Sequence, residues 1–108
     1  MHQFLPIAYF ENNFVPFEKA TISVATHALH YGTAAFGGLR GIPDPQNPKQ
    51  ILLFRLDRHC QRLSQSATFL NYKISAEKIN QVIVDFIQKN KPNKSFYIRP
   101  LVYSSGLG

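Results

Sequence analysis

The chain has 108 residues, a formal net charge of +6 at pH 7, 44% hydrophobic residues and one cysteine, Cys60. That length buries a single core and sits at the low end for an enzyme with a closed site, so one domain is expected. A lone cysteine excludes an internal disulfide framework, the first residues lack the basic start and apolar core of a secretory signal, and no apolar run approaches the ~20 residues of a membrane span, so the expectation is a cytoplasmic, reduced protein with no membrane partner.

In chain order, "LPIAYFENNFVPFEKATISV" sets apolar runs on either side of Glu11-Asn12-Asn13, and Asn tolerates the backbone angles of tight turns, which predicts a β-hairpin. "TAAFGGLRGI" is short, apolar and interrupted by glycine, the pattern of a buried strand that something approaches closely. "PDPQNPKQ" reads as a loop because of its three prolines. After "ILLF", Leu56, Cys60, Leu63, Ala67 and Leu70 recur at helical spacing, with Asp57 placed to cap the start. A second helix is the clearest element of all: Ser75 as cap, Glu77 in the first turn, and one stripe of Ile79, Val82, Ile83, Phe86 and Ile87, ended by Lys89 to Pro92. Finally "SFYIRPLVYSS" alternates as a strand, with Phe96, Ile98 and Val102 on one face and Tyr97, Arg99, Leu101 and Tyr103 on the other. Pro100 has no N–H to donate, so that strand belongs at an edge or carries a bulge. The predicted class is α+β: a twisted, mostly antiparallel sheet with two helices packed on one face.

The positive charge suits a phosphate or nucleic-acid ligand. Lys73, Lys78, Lys89, Lys91 and Lys94, however, gather around one predicted helix and its ends, where a solvated face is the commoner outcome. Arg55, Arg58 and Arg62 are spaced three and four apart and form a basic row on one side of the first helix and its lead-in. Arg62, about 100° around the helix from Leu63, is placed to hold a phosphate bidentately, although an arginine paired with a surface carboxylate is the commoner arrangement at such spacing. Arg99 beside Tyr97 and Tyr103 suits a carboxylate clamp with aromatic walls, and equally a snorkelling or paired arginine. His27 and His30 have the spacing of two metal ligands, but no further ligand pattern completes a site and no metal is expected. His59 and Cys60 resemble a nucleophile pair only on paper, since neighbours on a helix point apart and a core cysteine is the simpler reading. There is no phosphate-binding loop signature around Phe36.

Three blocks carry a resemblance. "HALHYGTAAFGGLRG", "FRLDRHCQRLSQSA" and "FYIRPLVYSSGLG" stand in the order and spacing of the N-terminal small domain of branched-chain amino acid aminotransferases, the fold-type IV enzymes that use pyridoxal 5′-phosphate, and the likeness runs from about Tyr9 to the last residue. The resemblance implies that Tyr31 and Phe36 help wall an apolar pocket for a branched side chain, that Gly38 leaves room for it, that Arg62 binds the cofactor phosphate and that Arg99 meets the distal carboxylate of glutamate or 2-oxoglutarate. It also implies branched-chain amino acids and 2-oxo acids as substrates, a homodimer, and no nucleic-acid partner. Two departures stand out. Gly37 occupies the place where many relatives carry Glu in "FEG", and the family's cofactor-bonding lysine lies in a C-terminal large domain, with none of the seven lysines here in a matching context. Residues 1–108 are therefore expected to be a small domain cut short at its C-terminal end, without the lysine-bearing domain, inactive alone and with apolar side chains such as Phe36 and Leu101 exposed. Two rivals remain open: another fold-type IV enzyme, such as a D-amino-acid transaminase or an aminodeoxychorismate lyase, and a non-catalytic module that binds phosphate or nucleic acid.

Overall fold

A computed structural model describes residues 4–26 and 32–104. Strands β1 (Ile7–Phe10) and β2 (Asn13–Pro16) form the expected hairpin. Glu11 (φ 51°) and Asn12 (φ 67°) both take the left-handed backbone that a two-residue turn of matching twist requires. A short 3-10 turn, Phe17–Lys19, follows.

β3 (Ala34–Phe36) and β4 (Leu39–Asp44) replace the single strand predicted for "TAAFGGLRGI", and β6 (Phe96–Ile98) and β7 (Leu101–Tyr103) replace the single strand predicted for "SFYIRPLVYSS". The two breaks have one cause. Phe36 lies opposite Leu101 and Leu39 opposite Ile98, so the antiparallel register is unbroken and Gly37-Gly38 face Arg99-Pro100. Pro100 cannot donate a ladder hydrogen bond. It accepts one instead, from the Gly37 N–H at 3.0 Å. β6 is also an edge of its sheet, the other position open to a strand that carries proline.

β5 (Asn47–Leu53) pairs antiparallel with β4 in the order β5-β4-β6. "PDPQNPKQ" is thus mostly strand. Only Pro45 and Gln46 turn, the Asp44 carboxylate accepts the Gln46 N–H at 2.9 Å, and Pro43 sits beside a shift in register that relieves the ladder of its missing donor.

Helices α1 (Leu56–Phe69) and α2 (Ala76–Asn90) pack together and cover one side of the sheets. Cys60, Leu63 and Ala67 of α1 and Ile79 and Ile83 of α2 are buried. Ala35, Leu39 and Ile98 meet them from the strands, with Leu53, Phe96 and Val102 around the rim. Full burial of one such aliphatic chain contributes about 1.5–3 kcal/mol. The predicted apolar stripes are the buried ones. Ser75 caps α2 by accepting the Lys78 N–H at 3.1 Å. Asp57, however, does not cap α1. Arg55 holds that position with a left-handed backbone (φ 54°), while the Asp57 carboxylate accepts from the Asn80 amide at 2.9 Å and ties the two helices together. Asn90 completes the frame by clamping Ile7 from both sides, accepting its N–H at 2.9 Å and donating to its carbonyl at 3.0 Å. Among the described residues no helix is long and apolar enough to cross a membrane.

The sheet face turned away from the helices is unusually apolar for a surface. Ile42, Leu52, Tyr97 and Leu101 are each more than two-fifths exposed.

Candidate functional site

The interruption at Gly37-Gly38 lies against α1 and opens a cavity of about 270 Å³ lined by Phe36, Gly37, Gly38, His59, Arg62, Leu63 and Ser66. His59, Arg62 and Ser66 stand three and four apart, so one face of α1 supplies an imidazole, a guanidinium and a hydroxyl to the same space. Leu63 beside Arg62 is buried in the core while Arg62 is exposed, which is the 100° offset expected from adjacent helical positions. A second, larger cavity of about 570 Å³ shares His59 and Arg62 and is otherwise lined by Phe54, Arg55, Arg58, Gln61 and Gln65. The basic row thus faces one space, and Arg62 alone among its members also faces the glycines.

Arg99 sits at the break between β6 and β7. Its guanidinium lies 5.0 Å from the centre of the Phe36 ring and 5.7 Å from that of Tyr97. At an exposed position each such contact contributes about 0.5–1 kcal/mol, enough to bias a long side chain toward one orientation. Phe36, 60% exposed, therefore both walls the smaller cavity and holds Arg99. Among the described residues no carboxylate lies within ion-pair distance of Arg55, Arg58, Arg62 or Arg99, so the commoner arrangement of a paired surface arginine does not apply here.

Gly38 leaves room, and Tyr97 fills it. A Cβ at Gly38 would collide with the Tyr97 hydroxyl and lie 2.7 Å from its Cζ. Gly37 is different, since a Cβ there would meet only Pro100 Cγ at 3.8 Å, an ordinary contact. Tyr103, expected beside Arg99 and Tyr97, lines neither cavity. It is half-buried opposite Ala34, its hydroxyl has no hydrogen-bond partner among the described residues, and burial, followed by the Glu11 carboxylate, raises its pKa. Cys60 points into the core, away from His59, and burial, followed by Asp57, raises the thiol pKa. It is a core residue rather than a nucleophile. Tyr31, His27 and His30 lie outside the described residues. Among the described residues no group of three or more His, Cys, Asp or Glu is placed to hold a metal ion. His59 and Ser66 are the lining residues that the sequence alone did not single out for this site, and their spacing with Arg62 was the available signal.

The model of the amino-transferase class IV family matches residues 46–108, which include the basic row, both helices and Arg99. The chain belongs to the class IV amino-transferase family. It is 81% identical over 108 residues to a probable branched-chain-amino-acid aminotransferase of Synechocystis sp., covering 100% of this chain and 35% of that protein. Among solved structures it is similar to the Escherichia coli branched-chain amino acid aminotransferase (TM-score 0.79, 35% identity, 93% of this chain and 33% of that one). It is also similar to the T.th. branched-chain amino acid aminotransferase complexed with N-(5′-phosphopyridoxyl)-L-glutamate (TM-score 0.82, 33% identity, 99% of this chain and 36% of that one). The chain thus spans about a third of the length of the class IV relatives it matches.

Proposed function

We propose that this chain is the small-domain part of a pyridoxal 5′-phosphate-dependent aminotransferase that exchanges the amino group between branched-chain L-amino acids and 2-oxoglutarate, in branched-chain amino acid biosynthesis. The observation that carries the reading is Arg62, a guanidinium without a carboxylate partner among the described residues, facing a small cavity against the glycine break together with the Ser66 hydroxyl. That donor set fits a phosphate: a planar fork of N–H groups, one hydroxyl, and a wall without side chains at Gly37 and Gly38. When bound, the cofactor supplies the electron sink for moving an amino group, and the amine that bonds it is expected from outside these residues, because no lysine lines either cavity.

The chain's own residues bind and orient. Arg62, with Ser66, holds the phosphate and so fixes the ring's position. Arg99, braced by Phe36 and Tyr97, offers a second fork to a substrate carboxylate. Phe36 presents apolar surface to a branched side chain, a role that Tyr31 shares in this reading, and Gly38 permits the close packing of Tyr97 on which Arg99 leans. Such a pocket, with apolar walls at Phe36 and Leu63 beside charged and polar groups, suits small amphiphilic acids. The names of the relatives support the branched-chain reading over other class IV chemistries. A homodimer accords with the apolar outer face, and a cytoplasmic setting with the unpaired, buried Cys60.

The test is a titration of pyridoxal 5′-phosphate, followed by visible absorbance, into the whole protein that carries this chain. A charge-assisted contact of this kind contributes about 1.5–3 kcal/mol, so Arg62→Ala should weaken binding roughly ten- to a hundredfold, and Arg62→Lys should recover only part because an ammonium lacks the fork. Unchanged affinity in Arg62→Ala refutes the assignment. Transfer from leucine to 2-oxoglutarate by the whole protein, with none from residues 1–108 alone, tests the activity.

A further inference from the structure

The larger cavity is more than an extension of the smaller one. Its private walls are Arg55, Arg58, Gln61, Gln65 and Phe54, with Arg62 and His59 shared. Two guanidinium groups that touch no carboxylate among the described residues, flanked by two amides that can donate, concentrate positive charge and N–H groups in one concave space. The nearest acid in sequence, Asp57, hydrogen-bonds to Asn80 on the other helix and forms no ion pair with either arginine. Arg55 is held in place twice: by its left-handed backbone at the start of α1, and by its guanidinium lying 5.1 Å from the centre of the Phe54 ring. That backbone is costly for a non-glycine residue. At about 570 Å³ the space is twice that of the neighbouring cavity and within the range of small-molecule sites.

We propose that this cavity is a second anion site, which takes a small ligand bearing a phosphate dianion or a pair of phosphates on Arg55 and Arg58, beside the cofactor phosphate assigned to Arg62. A single carboxylate would leave one of the two guanidinium forks unused, whereas a multiply charged oxyanion engages both. The Gln61 and Gln65 amides add donors without adding charge, and Phe54 offers an apolar face to the rest of the ligand. Because the wall at Arg62 and His59 is common to both spaces, an anion here is a neighbour of the cofactor phosphate and tunes its hold. The assignment goes beyond the cofactor reading and stands on Arg55 and Arg58, which that reading does not use.

Calorimetric titration of inorganic pyrophosphate into the whole protein, with and without saturating pyridoxal 5′-phosphate, tests it, and inorganic phosphate serves as the weaker probe. One pyrophosphate should bind per chain in the presence of the cofactor. Arg58→Gln and Arg55→Gln should each weaken pyrophosphate binding at least about tenfold, with cofactor affinity in Arg58→Gln changed at most about twofold. Both side chains are exposed, so the fold does not depend on them, and circular dichroism of the variants checks that directly. Absence of pyrophosphate binding overturns the proposal. Equal losses in Lys78→Gln would also overturn it, by showing a diffuse basic surface, as would equal losses of pyrophosphate and cofactor in Arg58→Gln, by showing one anion site rather than two. If cofactor binding ignores Arg62 while pyrophosphate binding follows Arg58, the cofactor reading fails and the second site stands.

Discussion

Replacing Gly41 by alanine should destabilise the fold by about 1–2 kcal/mol, whereas the same change at Gly38 should shift stability by no more than about 0.5 kcal/mol. Neither glycine has the left-handed backbone, so the difference rests on what each added methyl meets. At Gly41 it strikes the Phe96 ring, with Cε1 at 2.7 Å and Cε2 at 2.8 Å, where carbon atoms ordinarily keep about 3.5–4.0 Å apart. Phe96 lies directly opposite Gly41 on β6 and packs against the core, so a displacement of about 1 Å is resisted by its neighbours and costs what overpacking usually does, about 1–3 kcal/mol. Reduced freedom of the unfolded chain offsets about 0.4–1 kcal/mol of that. At Gly38 the obstacle is the tip of Tyr97, a side chain 55% exposed that can swing into solvent. The swing sacrifices one contact to Arg99, about 0.5–1 kcal/mol, which the same unfolded-state effect nearly cancels. Urea unfolding of both variants with a common m-value measures the difference as a separation of midpoints. Equal midpoints, or a larger loss in Gly38→Ala, would refute the view that the ring over Gly41 is fixed and the ring over Gly38 is free.

Cys60 supplies a pH test: its thiol pKa is raised in the fold above the ordinary value of 9.0, so the thiol's contribution is fully present below pH 9 and declines as pH rises above it, when the unfolded chain ionises first. Cys60→Ala, less stable at pH 8, should therefore close part of its gap to the parent in urea midpoints as the pH rises above 9, and a constant gap would contradict the burial of the thiol. Gly37→Glu should fold normally, since the position is open. It should also lower affinity for pyrophosphate and for the cofactor, because it sets a carboxylate beside the Arg62 cavity, and both effects are read by the titrations above. Residues 1–108 alone should self-associate through Phe36, Leu101, Ile42 and Leu52, all large and exposed, and a single monomeric species in light scattering at micromolar to millimolar concentration would count against that.

Much of the architecture was written in local chemistry. The two helices follow from apolar spacing that any neighbouring surface would bury, and the cap at Ser75 and the hairpin turn at Glu11-Asn12 depend on residues a few positions apart. The three blocks around Phe36, Arg62 and Arg99 were enough to point to the class IV family. What the chain could not reveal locally depends on partners distant in sequence. The break in two strands at once arises because Gly37 and Pro100, far apart along the chain, share one unbroken register. Asp57 is not the cap because α1 begins at Leu56 with Arg55 in the cap position, which leaves the Asp57 carboxylate in the first turn, bonded to Asn80 on the other helix. The same holds for the charges: spacing put Arg55, Arg58 and Arg62 in a row, but the packing of α1 against the glycine break gave Arg62 alone a second cavity to face, and no described carboxylate pairs with any of the three. Helical periodicity belongs to a dozen neighbouring residues and is legible from their order alone, whereas the side chains that meet across a cavity are selected by how whole elements pack, which no stretch of neighbouring residues encodes.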